Sequence, residues 1–192
     1  MKNIYLLVGP SGSGKTTIAN ELRDIYGFKV VESYTTRPPR YPGERGHIFV
    51  SDKEFDNLGE MCAYTEYNGY RYGVTREIID ECDVYVIDPP GVEYMLNRYH
   101  GGKGIVTIGL EVSETIRAIR MMNRGDSLID ILKRLEVDSK WFGDKGTKII
   151  YSITCSELGL NEAVDYIKKY IDVKEQIGTE YEDFMRKMTK SN

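Results

Sequence analysis

One stretch constrains this 192-residue chain more than any other: "GPSGSGKT" at residues 9–16. It is entered from the apolar run "IYLLV" (4–8) and left through "KTTIANELRDIYG" (15–27). The run reads as a buried strand. The segment after it reads as an amphipathic helix, with Ile18, Leu22 and Ile25 on one face and Gly27 as its stop. A strand, a turn of the form G-x-x-x-x-G-K-[ST] and a helix together make a phosphate cradle. Gly9, Gly12 and Gly14 let backbone N–H groups turn inward without a Cβ in the way. The helix start adds partial positive charge. Lys15 is placed to bridge β- and γ-phosphates, and the Thr16 hydroxyl to hold Mg²⁺. The expectation is an ATP or GTP site with Mg²⁺, built from Gly9, Ser11, Gly12, Ser13, Gly14, Lys15, Thr16 and Thr17.

Beyond this turn, short apolar runs keep alternating with helical patterns. "FKVV" (28–31), "DVYVID" (83–88), "GIVTIGLEV" (104–112) and "TKIIYSI" (147–153) read as strands. "REIIDEC", "GVEYMLNRY", "SETIRAIRMMNR" (113–124), "SLIDILKRLEVDSKWF" (127–142) and "LNEAVDYIKKYI" (160–171) read as helices. That alternation predicts a mostly parallel sheet wrapped by helices. Two segments break it. Ser51 and Glu54 form a capping-box pattern that opens a short helix in 51–58. Residues 61–74 read as a hairpin about Asn68-Gly69, which predicts a small separate lobe. The charged segment 173–192 is expected to form a surface helix or to fray.

Composition narrows the partners. The net charge of −4 argues against nucleic acid or an anionic membrane as the main partner. Cys62, Cys82 and Cys155 lie far apart and read as reduced thiols, and the N-terminal apolar run is too short to span a membrane. The expected setting is cytoplasmic. Against the acidic background, "SYTTRPPRYPGERG" (33–46) gathers Arg37, Arg40 and Arg45 on a stretch too rich in Pro and Gly for a helix. Arginines on such a loop need an anion.

These motifs, in order, resemble the guanylate kinase family over about residues 4 to 152. The resemblance rests on "GPSGSGKT", "TTRPPR" with Gly43-Glu44 and Gly46, "FVSDKEF" (49–55), Tyr72-Gly73, "VID" with Asp88 and Gly91, and "RMMNRG". It implies an α/β fold: a P-loop NTPase-type parallel sheet with flanking helices, a small β-rich acceptor-binding lobe and a helical lid. The implied division is a core of about 1–34, 75–119 and 143–172, an acceptor lobe of about 35–74, a lid of about 120–142 and a tail of about 173–192. The implied reaction moves the γ-phosphoryl of ATP to a nucleoside monophosphate. Arg37 and Arg40 would clamp the acceptor's 5′-phosphate, since a guanidinium fork matches phosphate oxygens. Ser33 and Tyr72 would add hydroxyl contacts, and Arg120, Arg124 and Arg134 would close with Lys15 over the transferring group.

The chain departs from the family pattern where the base is read. His47 stands at the place of a phosphate-binding tyrosine, where it could donate to phosphate or simply lie on the surface. Ala63 replaces a guanine-reading glutamate and Val74 a hydroxyl residue, while Glu66, three positions on, should face the other way. Asp88 is kept and would serve the acceptor, the metal or both; Val86 and Pro90 replace an acid and a glutamine. Tyr34, Tyr64, Tyr67, Tyr70 and Tyr72 would stack on a base or fill the lobe's core. The acceptor is therefore expected to be GMP or dGMP. Another nucleoside monophosphate or ribose 1,5-bisphosphate is the alternative, and a non-catalytic guanylate kinase-like binding module a third reading. Oligomeric state is not legible.

Overall fold

The computed structural model describes residues 1–67, 69–142, 151–154 and 159–189. Asn68 and Cys155 lie outside the described residues. Strand β1 (Asn3–Val8) occupies the middle of a parallel sheet, between β6 (Val84–Val86) and β7 (Gly104–Glu111), with β8 (Tyr151–Thr154) beyond β7. Ile4 to Val8 are all fully buried, because both faces of the sheet are covered. That is why this strand is a continuous apolar run rather than an alternating one. Tyr5 and Leu7 point into one core with Ile18 and Leu22 of helix α1 (Lys15–Tyr26) and Ile167 and Ile171 of helix α7 (Leu160–Thr189). Ile4, Leu6 and Val8 point into a second core.

The other elements follow the expected order, with four differences. Ile25 is 58% exposed, against the expectation that it shares the buried face of α1. The helix closes at Gly27 (φ 72°), the Phe28 N–H bonds back to the Leu22 carbonyl, and the Phe28 side chain takes the core position instead. The expected strand 28–31 shrinks to a single bridge, Val30 with Val84, before the chain leaves for a second sheet. Asp88 does not end a strand but caps helix α4 (Pro89–Arg98), accepting the Gly91 N–H at 2.7 Å. Pro89 and Pro90 fill the first turn, where an N–H is not needed. Finally, α7 continues through the expected tail as one helix. The Glu175 carboxylate ties it to the main sheet by accepting from Lys2 N–H, Asn3 Nδ2 and Tyr5 Oη at 2.7–2.8 Å. Residues 147–150 of the expected last strand lie outside the described residues.

The second sheet runs β3 (His47–Phe49), β2 (Ser33–Thr35), β5 (Tyr70–Thr75), β4 (Met61–Tyr67). The last two form the expected hairpin, in register from Tyr67↔Tyr70 to Ala63↔Val74. Helix α2 (Asp52–Asp56) carries the full capping box, Ser51 and Glu54 each accepting the other's N–H. The hairpin shares the second core. Its Cys62, Ala63 and Val74 join Ile4, Leu6 and Val8 of β1, Ile79 of α3 (Arg76–Glu81), and Val92 and Met95 of α4. Helices α5 (Glu114–Asn123) and α6 (Leu128–Phe142) complete the layer above the phosphate turn. Among the described residues, no helix is long and apolar enough to cross a membrane.

Candidate active site

The turn after β1 has the backbone its glycines allow. Gly12 sits at φ 78°, and a Cβ there would lie 2.8 Å from the Arg117 carbonyl oxygen of α5. Gly14 sits at φ 97° as the N-cap of α1. Either substitution would strain the turn. Lys15 folds back over it, donating to the Gly9 and Pro10 carbonyls at 2.6 and 3.0 Å. Burial pushes its ammonium down to about 8, against the pull of Asp138 and Asp88. Thr16 and Thr17 are exposed at the helix start, while Ser13 is buried.

The arginine loop is held by a residue to which sequence alone assigned no role. The Glu44 carboxylate takes both terminal nitrogens of Arg37, at 2.8 and 3.2 Å, and the Arg40 backbone N–H at 2.7 Å. Burial alone would raise this carboxyl, but Arg37 and the Arg40 N–H override it and hold it below the ordinary range. Arg37 also donates to the Pro38 carbonyl and lies over the Phe49 ring. Its two terminal nitrogens are engaged inside the loop while Nε is buried without a partner, and Arg37 does not line the cleft. Arg40, more than half exposed, does line it. So do Ser33, His47 and Tyr72. Ser33 Oγ and His47 Nδ1 are 2.8 Å apart, and burial, then the Arg37 charge, push the imidazole pKa down. His47 is therefore neutral near pH 7 rather than an added charge.

The arginines expected in a lid converge on the same region. Arg120 reaches the Gly12 and Ser13 carbonyls at 3.3 and 3.4 Å. Arg124 pairs with Asp126, and Arg134 lies 3.8 Å from the same carboxylate. Together with Lys15, Thr16, Arg40 and His47 they border one cleft over the phosphate turn.

Beyond Lys15 the cleft deepens into a cavity of about 210 Å³. Six aromatic side chains line it: Tyr64, Tyr67, Tyr72, Tyr85, Trp141 and Phe142. Of the tyrosines expected at a base, Tyr34 and Tyr70 stay outside it. Asp88 and Thr65 supply the deep polar groups; burial raises the Asp88 carboxyl, opposed by the Gly91 N–H and the Thr65 hydroxyl. Val74 is a correction: it is fully buried and lines no part of the cavity, because it packs into the second core with residues of β1, α3 and α4. Ala63 is buried with it, and Glu66 is exposed, engaged by the Tyr64 hydroxyl. Asp126, Asp138, Thr65, Tyr85 and Trp141 were missed by sequence reasoning. The one available signal was helical spacing, since Asp138 follows Arg134 by four residues.

The guanylate kinase family model matches residues 1–84. The guanylate kinase of Geobacter metallireducens is 32% identical over 143 residues, 68% of this chain and 70% of that one. The guanylate kinase of Neisseria gonorrhoeae is 33% identical over 144 residues, 69% of each chain. This chain belongs to the guanylate kinase family. It is thus a nucleoside monophosphate kinase-type phosphotransferase. The fold agrees: a crystal structure of guanylate kinase from Anaplasma phagocytophilum superposes with a TM-score of 0.59 at 24% identity, covering 90% of this chain and 85% of that one.

Proposed function

We propose that the chain transfers the γ-phosphoryl group of ATP to the 5′-phosphate of a purine nucleoside monophosphate, GMP or dGMP. The observation that carries this reading is the continuous cleft from Lys15, past Arg40, His47 and Arg134, into the aromatic cavity. One end suits a phosphate chain and the other a flat base. The aromatic wall favours a base over a bare sugar phosphate. The intact turn with a buried Lys15 favours catalysis over a non-catalytic module.

In this reading Lys15 leaves the Gly9 and Pro10 carbonyls for the donor's phosphates, exchanging two neutral acceptors for charged ones. Arg40, Ser33, Tyr72 and His47 hold the acceptor's phosphate. Arg124 and Arg134 exchange Asp126 for the charge that spreads over the transferring group. Arg37 acts through the loop, keeping Arg40 in place by way of Glu44. The Thr16 hydroxyl, exposed at the start of α1, and the Asp88 carboxylate are hard oxygen donors that suit Mg²⁺. When bound, Mg²⁺ would neutralise phosphate charge. Asp88 and Thr65 read the base edge.

The test is ADP release with ATP-Mg²⁺ against GMP, dGMP, AMP, CMP, UMP, dTMP and ribose 1,5-bisphosphate. Turnover led by GMP or dGMP is expected. A different leading acceptor would replace the guanine assignment, and silence across the panel would overturn the kinase reading. Because Ala63 and Val74 are buried in the second core and Asp88 and Thr65 supply the deep polar groups, discrimination among bases should be weaker than in a site that hydrogen-bonds each edge.

A further inference from the structure

We propose that Asp138 is a positioning residue that docks the lid helix α6 onto the phosphate turn and thereby sets where Arg134 stands; the catalytic part of this rests on the kinase reading above. Asp138 lies in the second half of α6, yet its side chain is only 6% exposed. Its Oδ2 accepts the Ser11 backbone N–H at 2.9 Å and Arg117 Nη1 at 2.9 Å, and its Oδ1 accepts the Ser11 hydroxyl at 3.3 Å. Arg117 of α5 donates in turn to the Ser11 carbonyl at 3.3 Å. One residue of the phosphate turn is thus gripped at both its N–H and its C=O, by a buried ion pair drawn from two helices.

Aspartate is a poor interior helix former, and a buried ion pair is often no more stabilising than apolar residues of the same volume. What the pair adds is a fixed geometry. Arg134 stands four residues before Asp138, on the same face of α6. Docking Asp138 on Ser11 therefore fixes both the height and the rotation of Arg134 above Lys15. The other hold on Arg134 is loose, 3.8 Å from Asp126. Arg117 also cancels a negative charge that would otherwise face the donor's phosphates.

Trp141, the single tryptophan, is one turn further along α6 and rests 6.1 Å from the Tyr67 ring of the hairpin. Its fluorescence therefore reports docking of α6 without any turnover. Asp138→Asn, which keeps shape and removes charge, is expected to lower kcat by roughly 10- to 100-fold, the scale of a misplaced catalytic group, and to raise the acceptor KM with it, because Trp141 lines the acceptor cavity. Acrylamide quenching of Trp141 should rise in the same variant. Arg117→Met should act in the same direction, and the double variant should be no worse than the worse single one, because the two act as a unit. Arg117→Lys keeps a charge beside Asp138 and should show a milder form of the same signature, which guards against a variant that does not fold.

Unchanged kcat and unchanged quenching in folded Asp138→Asn would overturn the proposal. So would a lower melting temperature with kcat intact, which a merely structural pair would give. Absence of turnover on every acceptor, with an Asp138-dependent Trp141 response, would support the docking and overturn the kinase reading instead.

Discussion

The acceptor loop and the expected lid each hold a pair of arginines with a single carboxylate, Arg37 and Arg40 with Glu44, Arg124 and Arg134 with Asp126. In the loop, Arg37 and Glu44 are 9% and 6% exposed, and the fork is closed by two bonds. In the expected lid, Arg124 also closes two bonds on its carboxylate, Asp126, but it is 54% exposed, and Arg134 stands 3.8 Å from the same group. A buried pair that loses one member leaves an uncompensated charge, whereas a solvated one loses little. The loop is therefore built to stay as it is and to present Arg40. The exposed Arg124 is the one that can exchange partners at lower cost.

Glu44→Gln tests this contrast most severely, because it leaves Arg37 buried without an anion. It should cost about 3–5 kcal/mol and lower the melting temperature by roughly 10 °C. Calorimetry showing a change under about 2 °C would put the loop in the same class as the lid. Acid should act like the substitution. The Glu44 pKa is depressed in the folded chain, so its contribution is present above the unfolded value and disappears as pH falls through the folded one.

Next in size, Arg134→Met should lower kcat by about 100-fold, the scale of one lost charge-stabilising donor, with melting temperature and ATP affinity nearly unchanged. An equal loss of ATP affinity would mean that Arg134 binds the ground state as strongly as the transition state. Lys15 gives a pH test. Its ammonium titrates at about 8 in the ligand-free chain, so it is charged below that pH and neutral above it. ATP binding should then take up a proton at alkaline pH, and Kd should rise up to about tenfold per pH unit above 8. Calorimetric titration in two buffers of different ionisation enthalpy checks the proton count. The smallest effect belongs to Asp126→Asn, expected to cost under about 1 kcal/mol, and less at high salt. Its kcat should hold or rise slightly, because Arg124 and Arg134 no longer have a competing anion.

The legible parts of this chain are those whose causes lie within a few residues. Gly12, Gly14 and Lys15 specify a phosphate turn through backbone freedom and spacing. The box of Ser51 and Glu54 specifies a helix start. Asn68-Gly69, flanked by aromatic and β-branched residues, specifies the hairpin. Errors began where an outcome depends on what packs from elsewhere. Ile25 fits the helical period, but the last turn of α1 overshoots the core and Phe28 fills its place. Val74 fits a base-reading position, but it packs into the second core. Arg37 fits a phosphate clamp, but its fork closes on Glu44.

Local dihedral preference and periodicity were enough to place a phosphate-binding turn between β1 and α1, to wrap helices about a mostly parallel sheet, and to set a hairpin lobe beside it. Each segment carries those preferences alone. Which charges face the cleft, and which are spent inside the protein, was settled by packing. Asp138 and Ser11 lie 127 residues apart, and their bond exists because two helices stack over one turn. Burial and partner choice at such range arise from the assembled fold, and no short run of residues encodes them.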